Sequence, residues 1–484
     1  MPRSISPGRL ATLLDDAPRR SPAYREVATA LQMLVDDGRV PAGTRLPSER
    51  VLAEQLGVSR TTITRAYARL VDAGFATARH GSGTVAALPD AASRDGRGAL
   101  MPAESTGSAD GAIDLTCAVL PPPVQLHAAY EQALSRWSPE MGGSGYYPLG
   151  VPALREAIAE DYTRRGLPTH ADQVMITSGA IGAHAVAARA HLVPGERLLL
   201  DSPVYPNSLA SLRAHGLRPV AVPLDDDGWD LDTWASAARA GARAALLLPD
   251  FHNPTGLLMS DDERARLSHI LRRQRALALV DETLAGTALT GPAADGGMPA
   301  PFGAHHHRTV MIGGASKSHW SGLRIGWLRA PAELMGPLVA ARTTLDLGSA
   351  VLEQLALLEL MAHEDEIATT HREAATARRD VLAAELRSHL PSWRFRIPDG
   401  GLSLWVELPE PVSTAFVVAA EARRVLLAPG PRFAAESGLE RRLRIPFTAP
   451  EATLREAVRR MAAAWEALDR RAMPRRDPAR PLIA

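Results

Sequence analysis

Lysine is almost missing from this sequence. Of the 54 Lys+Arg in 484 residues, Lys317 is the sole lysine, so even the surface has been left without other ammonium groups. Arginine replaces lysine wherever a fixed positive charge suffices, but its guanidinium stays protonated and does not condense with an aldehyde. The surviving amine is therefore a candidate covalent residue, and its neighbours decide whether its rarity has meaning. Cysteine is equally scarce. Cys117 stands alone, which excludes an internal disulfide framework and a multi-cysteine zinc site, and it reads as a structural thiol rather than a nucleophile. No run of about 18 apolar residues is present to span a bilayer, and the start, Met1-Pro2-Arg3-Ser4, lacks the apolar core of a signal peptide. The expectation is a cytoplasmic protein with no membrane partner. Acids and bases balance at 54 each, so the molecule as a whole is not a polyelectrolyte seeking nucleic acid, and any such role must be local. No metal site is expected: His305, His306 and His307 are adjacent, point in different directions and lack a companion carboxylate or cysteine spacing.

What is present is globular, with 46% hydrophobic and 22% charged residues, and too long for one ordinary core. Residues 21–88 carry a pattern of helix, helix, helix and hairpin. Residues 89–111 turn to Ala, Ser, Gly, Asp and Pro with little periodic apolar signal, as a flexible linker would. From 112 to 468 short apolar runs alternate with amphipathic helical stretches, which predicts a mainly parallel sheet covered by helices on both faces. Predicted strands include 173–176, 197–200, 244–248 and 276–280, each ending in polar or glycine residues, where an open α/β sheet binds its ligand. Residues 469–484 form an Arg/Pro-rich tail.

In the small domain, Val27, Leu31, Leu34 and Val35 give Tyr24 to Gly38 helical spacing. Ser48 opens a second helix that ends at Gly57, and Ser59 caps a third. Arg60, Thr61 and Thr62 in the first turn of that third helix are the short donors and acceptors that a recognition helix offers to base edges and phosphates. A hairpin with a Gly-Ser-Gly tip follows at 75–85. Residues 1–90 hold 12 Arg against 9 Asp+Glu, so it is the order of the motifs rather than charge that argues for DNA. "VPAGTRLPSERVLAEQLGVSRTTITRAYARLVDAGF" followed by "HGSGT" resembles the winged helix-turn-helix of the GntR family of bacterial repressors. That resemblance implies that Arg50, Ser59, Arg60, Thr61, Thr62, Thr64 and Gly81 contact double-stranded operator DNA.

In the large domain five strand ends fit the needs of a pyridoxal phosphate (PLP) site. Asp281 after the strand 276–280 is a carboxylate that burial would penalise unless something such as a protonated pyridine pairs it. Ser178-Gly179-Ala180, between a strand and a helix, lets backbone N–H groups approach a phosphate. Tyr205 is an aromatic in a loop after a strand, and Asn253 is fixed by the following Pro in His252-Asn253-Pro254-Thr255-Gly256. Lys317 follows Gly313-Gly314-Ala315-Ser316, with Arg324 seven residues on, a planar fork suited to a phosphate. With "GYYPLGVPALREAIAEDY" upstream and "LRIPFT" downstream, residues 113–468 resemble fold-type I, class I aminotransferases, an α/β fold with a smaller α+β C-terminal subdomain. The resemblance implies that Lys317 forms the internal aldimine, Asp281 pairs the pyridine nitrogen, Asn253 holds O3', and Tyr205 stacks on the ring. It further implies that Ser178, Gly179, Ala180, Ser316 and Arg324 hold the phosphate and Arg444 the substrate α-carboxylate. Tyr146, or its neighbour Tyr147, takes the place of a tyrosine that crosses from the partner subunit, hence a homodimer.

Two departures stand out. Where the family usually has a tyrosine bonded to O3', three residues after the aspartate, this chain has Leu284, and where it usually has a hydroxyl three residues before the lysine, this chain has Gly314. Each removes a donor worth about 1 kcal/mol, so cofactor binding is expected to survive and turnover is in doubt. A GntR-type head joined to an aminotransferase-like domain resembles the MocR family of bacterial transcriptional regulators. That implies a head-to-tail homodimer in which PLP, or an amino compound exchanging onto it by transaldimination, biases the DNA-binding heads. A working aminotransferase with an accessory DNA-binding head, and a repressor whose large domain is only a dimerisation scaffold, stay open.

Overall fold

The computed structural model describes residues 4–15, 23–36, 39–41, 43–79, 83–87, 111–140, 142–226 and 228–468. Gly81, the linker up to residue 110 and the 469–484 tail lie outside the described residues. The head contains helices α1 (Pro7–Asp15), α2 (Ala23–Asp36), α3 (Glu49–Leu56) and α4 (Arg60–Asp72). An antiparallel hairpin of β1 (Ala76–Arg79) and β2 (Gly83–Ala86) follows them. The spacing of Leu31, Leu34, Ile63, Tyr67 and Leu70 puts one stripe of each helix into a shared core. Leu10 and Leu14 of α1 join that core, an addition the sequence reading did not place. α3 stops where Gly57 takes a left-handed φ of 63° as its C-cap, and α4 starts where the Ser59 side chain accepts the Thr62 N–H at 3.1 Å. Ser48 precedes α3 as expected but makes no side-chain capping bond.

The large domain enters through β3 (Ile113–Asp114), α5 (Leu126–Glu140) and α6 (Pro152–Arg164). Its strands are β4 (Val174–Thr177), β5 (Arg197–Ser202), β6 (Arg218–Asp225), β7 (Gly228–Trp229), β8 (Ala244–Leu247), β9 (Leu277–Asp281), β10 (Thr309–Gly314) and β11 (Gly326–Arg329). They form one sheet in the order β4-β11-β10-β9-β8-β5-β6-β7. β10, β9, β8, β5 and β6 run parallel, whereas β11 is antiparallel to both neighbours and β7 to β6. The sheet is therefore mixed at its edges. Helices α7 (Gly179–His191) and α8 (Pro206–Ala214) follow β4 and β5. Apolar clusters on the two faces bury the sheet, which explains why its strands read as continuous apolar runs rather than alternating ones.

The C-terminal subdomain is α+β. Strands β12 (Arg394–Phe395), β13 (Ser403–Glu407), β15 (Ala428–Pro429) and β16 (Arg442–Pro446) form an antiparallel sheet, and β14 (Val425–Leu426) pairs with β3. The long helix Glu364–His389 and the helix Glu451–Ala467 enclose its core with Phe416, Trp393 and Trp465 stacked edge to face. Among the described residues no helix is long and apolar enough to cross a membrane.

Candidate functional site

β9 ends on Asp281, and alternation along the chain turns Asp281 and Glu282 apart. Glu282 is held by Arg165 at 2.8 Å and by the Tyr162 hydroxyl. Asp281 Oδ2 instead accepts from His184 Nε2 at 3.1 Å, while Oδ1 accepts the Thr283 hydroxyl at 2.7 Å and the Thr283 N–H at 3.1 Å. Burial pushes the Asp281 carboxyl up, but the bond and charge of His184 and the two Thr283 donors outweigh it and hold the group below its ordinary value. An ionised carboxylate is thus fixed at the bottom of the strand-end crevice, suited to a cationic ring nitrogen.

Lys317 lies in the single helical turn Ala315–Ser318 directly after β10, and its Nζ donates to Ala118 O at 2.5 Å. Burial pulls the ammonium down to about 8, and the charge of Arg444 works in the same direction. A sizeable fraction of neutral, nucleophilic amine is therefore present near neutrality. Arg444 projects from β16, buried, with Nη1 3.4 Å from Asn253 Oδ1, Nη2 donating to Thr116 O, and its guanidinium 4.9 Å from the Phe433 ring centroid. Its Nε has no hydrogen-bond partner among the described residues, and burial lowers its pKa to about 10, which leaves it cationic. The segment Thr116 to Ala118 thus offers one carbonyl to each of the two cations. Tyr205, at the N-cap position of α8, belongs to the same group: burial pushes its phenol up, and Arg444, Cys117, Asp281 and Arg324 all act on it.

A second cluster lies at the start of α7. Ser178 occupies its N-cap position without spending its side chain on the helix. Gly179 has φ 75°, and a Cβ there would stand 2.9 Å from Arg324 Nη2. Arg324 itself is left-handed, at φ 54°. A Cβ on Gly326 would come within 2.5 Å of the Gly179 carbonyl carbon, so β11 meets the helix start backbone to backbone. The result is a concavity of N–H groups at a helix N-terminus with a guanidinium across it, fit for a phosphate. Ala180 follows Gly179 at the helix start and Ser316 precedes Lys317 in its turn, both partly buried. Leu284 lines a small cavity together with Lys317, Asn253, Ala118 and Ser403, so its apolar side chain faces the space where a hydroxyl was missed. This donor set fits pyridoxal phosphate: a carboxylate for the ring nitrogen, an amine for the aldehyde, a cradle for the phosphate.

Of the residues expected from sequence, Lys317, Asp281, Asn253, Tyr205 and Arg444 lie together, and Ser178, Gly179 and Ala180 stand at the helix start that faces Arg324. Tyr146 does not join them; it is 64% exposed, whereas Tyr147 packs on the large-domain core. His184 was missed. It lies one turn after Ala180, and a helix that starts at the cradle carries that position under the end of β9. In the head, Arg50 is exposed beside Glu54, and the Ser59 hydroxyl lies 2.8 Å from those of both Thr61 and Thr62. Glu49, also not singled out, accepts from the Thr64 hydroxyl at 2.7 Å and lies 3.6 Å from Arg60, so it ties the start of α3 to two of the recognition positions.

Comparison with known proteins places both halves. The family "Aminotransferase class I and II" matches residues 123–461, and "Bacterial regulatory proteins, gntR family" matches 23–85. The HTH-type transcriptional regulator TauR of Rhodobacter capsulatus is 30% identical over 81% of this chain and 86% of its own length. The probable rhizopine catabolism regulatory protein MocR of Rhizobium meliloti is 28% identical over 77% and 78%. Among solved structures, the α-aminoadipate aminotransferase LysN of Thermus thermophilus, complexed with N-(5'-phosphopyridoxyl)-L-leucine, superposes with a TM-score of 0.65 at 25% identity, covering 74% of this chain and 93% of LysN. A gntR-type DNA-binding head followed by an aminotransferase class I and II domain, with similarity to TauR and MocR over about four-fifths of the chain, makes this chain a member of the MocR-type family of transcriptional regulators.

Proposed function

We propose that the chain is a DNA-binding regulator that holds pyridoxal phosphate through Lys317 and responds to PLP itself or to an amino compound exchanging with the Lys317 amine. The observation that carries this reading is the sole lysine of the chain sharing one crevice with a buried ionised aspartate, an asparagine and an arginine. When bound, the cofactor supplies an aldehyde and an electron sink. The chain supplies the rest: Asp281 keeps a proton on the ring nitrogen, Asn253 holds O3', and Tyr205 covers the ring. The Ser178-Gly179-Ala180 cradle with Ser316 and Arg324 takes the phosphate, and Arg444 receives a carboxylate on the incoming amine. Exchange of one amine for another would need the incoming amine in its neutral form, with the proton it gives up passing to the departing Lys317 amine, so that no further base is required. Full transamination asks for more, and Leu284 in place of a hydroxyl leaves it a side activity.

The same reading makes the regulator a head-to-tail homodimer bound to operator DNA through Arg50, Ser59, Arg60, Thr61, Thr62, Thr64 and Gly81. Tyr146 then reaches the partner's crevice. The exposure of Tyr146, Leu134, Trp137, Leu345 and Leu347 supports a covered face there.

An absorbance titration with single amino acids, run beside an operator shift assay, tests the proposal. The expected outcome is visible absorbance in the wild type, its loss in Lys317→Ala, and an amine-dependent change in DNA binding without net keto-acid product. Sustained turnover restored by a keto acid would make the protein an aminotransferase first. Absence of colour, with induction unchanged in Lys317→Ala, would reduce the large domain to a scaffold.

A further inference from the structure

Three arginines of the head gather on one half-buried tyrosine, with no acid paired to any of them among the described residues. Tyr24 stands in the first turn of α2. Arg25 Nε donates to its hydroxyl at 3.2 Å, and the guanidinium carbons of Arg25 and Arg65 lie 5.9 and 5.8 Å from its ring centroid. The bond from Arg25, together with the charges of Arg25, Arg65 and Arg69, holds the phenol below its ordinary value against the opposing effect of burial. Among the described residues none of the three has an ion-pair partner, whereas Arg50 and Arg60 nearby are matched with Glu54 and Glu49. Like charges four residues apart on a helix, as Arg65 and Arg69 are, destabilise it. The arrangement is therefore unfavourable in isolation, and an anion would reverse that.

Its place on α4 says which anion. Ile63, Ala66, Tyr67 and Leu70 are buried, so Thr61, Arg65 and Arg69, at steps of four, form an exposed ridge on the opposite side. The ridge starts at the turn expected to read bases and runs back to α2. Guanidinium groups stacked on an aromatic ring are pre-ordered and present their forks outward, a geometry matched to phosphate oxygens. We propose that Arg25, Arg65 and Arg69, arranged around Tyr24, clamp a backbone phosphate of the duplex whose major groove receives the first turn of α4. This rests on the DNA-binding reading above and adds a contact outside the recognition positions. Such a contact positions the head and carries no sequence information of its own.

The test compares the full-length wild type with Arg65→Gln and Arg25→Gln on two duplexes. One is enriched from a random pool by the wild-type protein, and the other is of unrelated mixed sequence. Each phosphate contact contributes about 0.9 to the slope of log affinity against log salt. The expected result is a slope shallower by about that amount in each variant, with affinity lost equally on both duplexes, so that their ratio is unchanged. Arg60→Gln serves as the contrast and should lower that ratio. All three side chains are exposed, and unchanged circular dichroism would show the head intact. Variants with wild-type slopes and affinities would overturn the clamp while leaving DNA binding standing. Loss confined to the enriched duplex would make these residues base readers and overturn it too. A wild type that binds neither duplex would remove the underlying reading, and the clamp with it.

Discussion

His184 Nε2 donates to Asp281 Oδ2 across 3.1 Å inside the protein, and the same nitrogen lies 3.3 Å from the Ser208 hydroxyl of α8. A helix that begins at the Ser178-Gly179 turn thus reaches under β9 and fixes the carboxylate that is proposed to pair a ring nitrogen. A hydrogen bond to a buried charged group is worth about 1.5–3 kcal/mol. Without it, the burial that now opposes ionisation has less to oppose it, and the Asp281 pKa rises. His184→Ala should therefore hold pyridoxal phosphate more weakly, by roughly tenfold or more, measured as cofactor lost from the protein on ultrafiltration, while operator binding without ligand stays intact. Unaltered retention would show that the carboxylate is set by Thr283 alone.

The amine of Lys317, lowered to about 8, makes a second expectation. Addition to an aldehyde requires the neutral form, so the amount of borohydride-trapped adduct formed in a short fixed time by cofactor-free protein should rise with pH through about 8 and then level. Burial is the larger cause of the shift and the charge of Arg444 the next. Arg444→Gln removes only the second, so the midpoint should move upward but stop short of the ordinary 10.5. A midpoint unmoved by that substitution would mean that the two cations do not sense each other across the crevice.

Glycine positions around the cradle separate what can be added from what cannot. At Gly314 a Cβ would meet nothing closer than 3.7 Å, with Ala180 and Thr283 among its neighbours, and its φ of −174° suits any residue. Gly314→Ser should thus fold normally and add a donor beside the cradle, improving cofactor affinity by about 1 kcal/mol, or roughly fivefold. Gly326→Ala places a Cβ 2.5 Å from the Gly179 backbone, which no side-chain motion relieves. That variant should lose the cofactor. Spectrophotometric titration of both with pyridoxal phosphate decides, and equal affinities would refute the backbone-to-backbone packing argument.

The sequence is most legible where chemistry needs a scarce residue at a strand end. Lys317, Asp281 and Asn253 stand at or just after the ends of buried strands, and a run of apolar residues broken by one polar group marks such a position by itself. His184 is harder to find because, in an alanine-rich helix, one histidine looks like any core residue until the fold shows that the helix passes beneath Asp281. The carbonyls of Thr116 and Ala118 that hold Arg444 and Lys317 are backbone groups, which no side-chain motif announces. The strand β11 was not among the predicted strands, and it runs antiparallel within the mainly parallel sheet. The 11 residues 315–325 between β10 and β11 contain only two short helical turns, too little for the crossover helix that a parallel return requires. α1 escaped notice because its apolar residues Leu10, Leu13 and Leu14 are few, although two of them are fully engaged in the head's core.

Asp201 and His252 give the large domain an acid–base signature that can be read without cofactor. The Trp229 N–H donates to Asp201 Oδ2 at 3.2 Å, and His252 Nε2 lies 3.9 Å from the same oxygen, both side chains being buried. Burial lifts Asp201 from 3.8 to about 7 against the pull of the Trp229 donor, and burial lowers His252 from 6.5 to about 3 against the charge of Asp281. The raised group stabilises the fold fully below 3.8 and loses that contribution as pH rises through about 7. The lowered group works in reverse, with its contribution complete above 6.5 and lost as pH falls through about 3. From about 4 to 6.5 the two slopes cancel, so neither is visible in the wild type. Asp201→Asn should expose the histidine's slope, with stability climbing from about pH 4 to 6.5 by up to about 1.4 kcal/mol per pH unit. His252→Gln should expose the opposite slope, falling across the same range and on to about 7. Urea unfolding of the cofactor-free proteins across this range measures both, and two variants that keep the wild-type profile would show that this pair does not titrate as its burial requires.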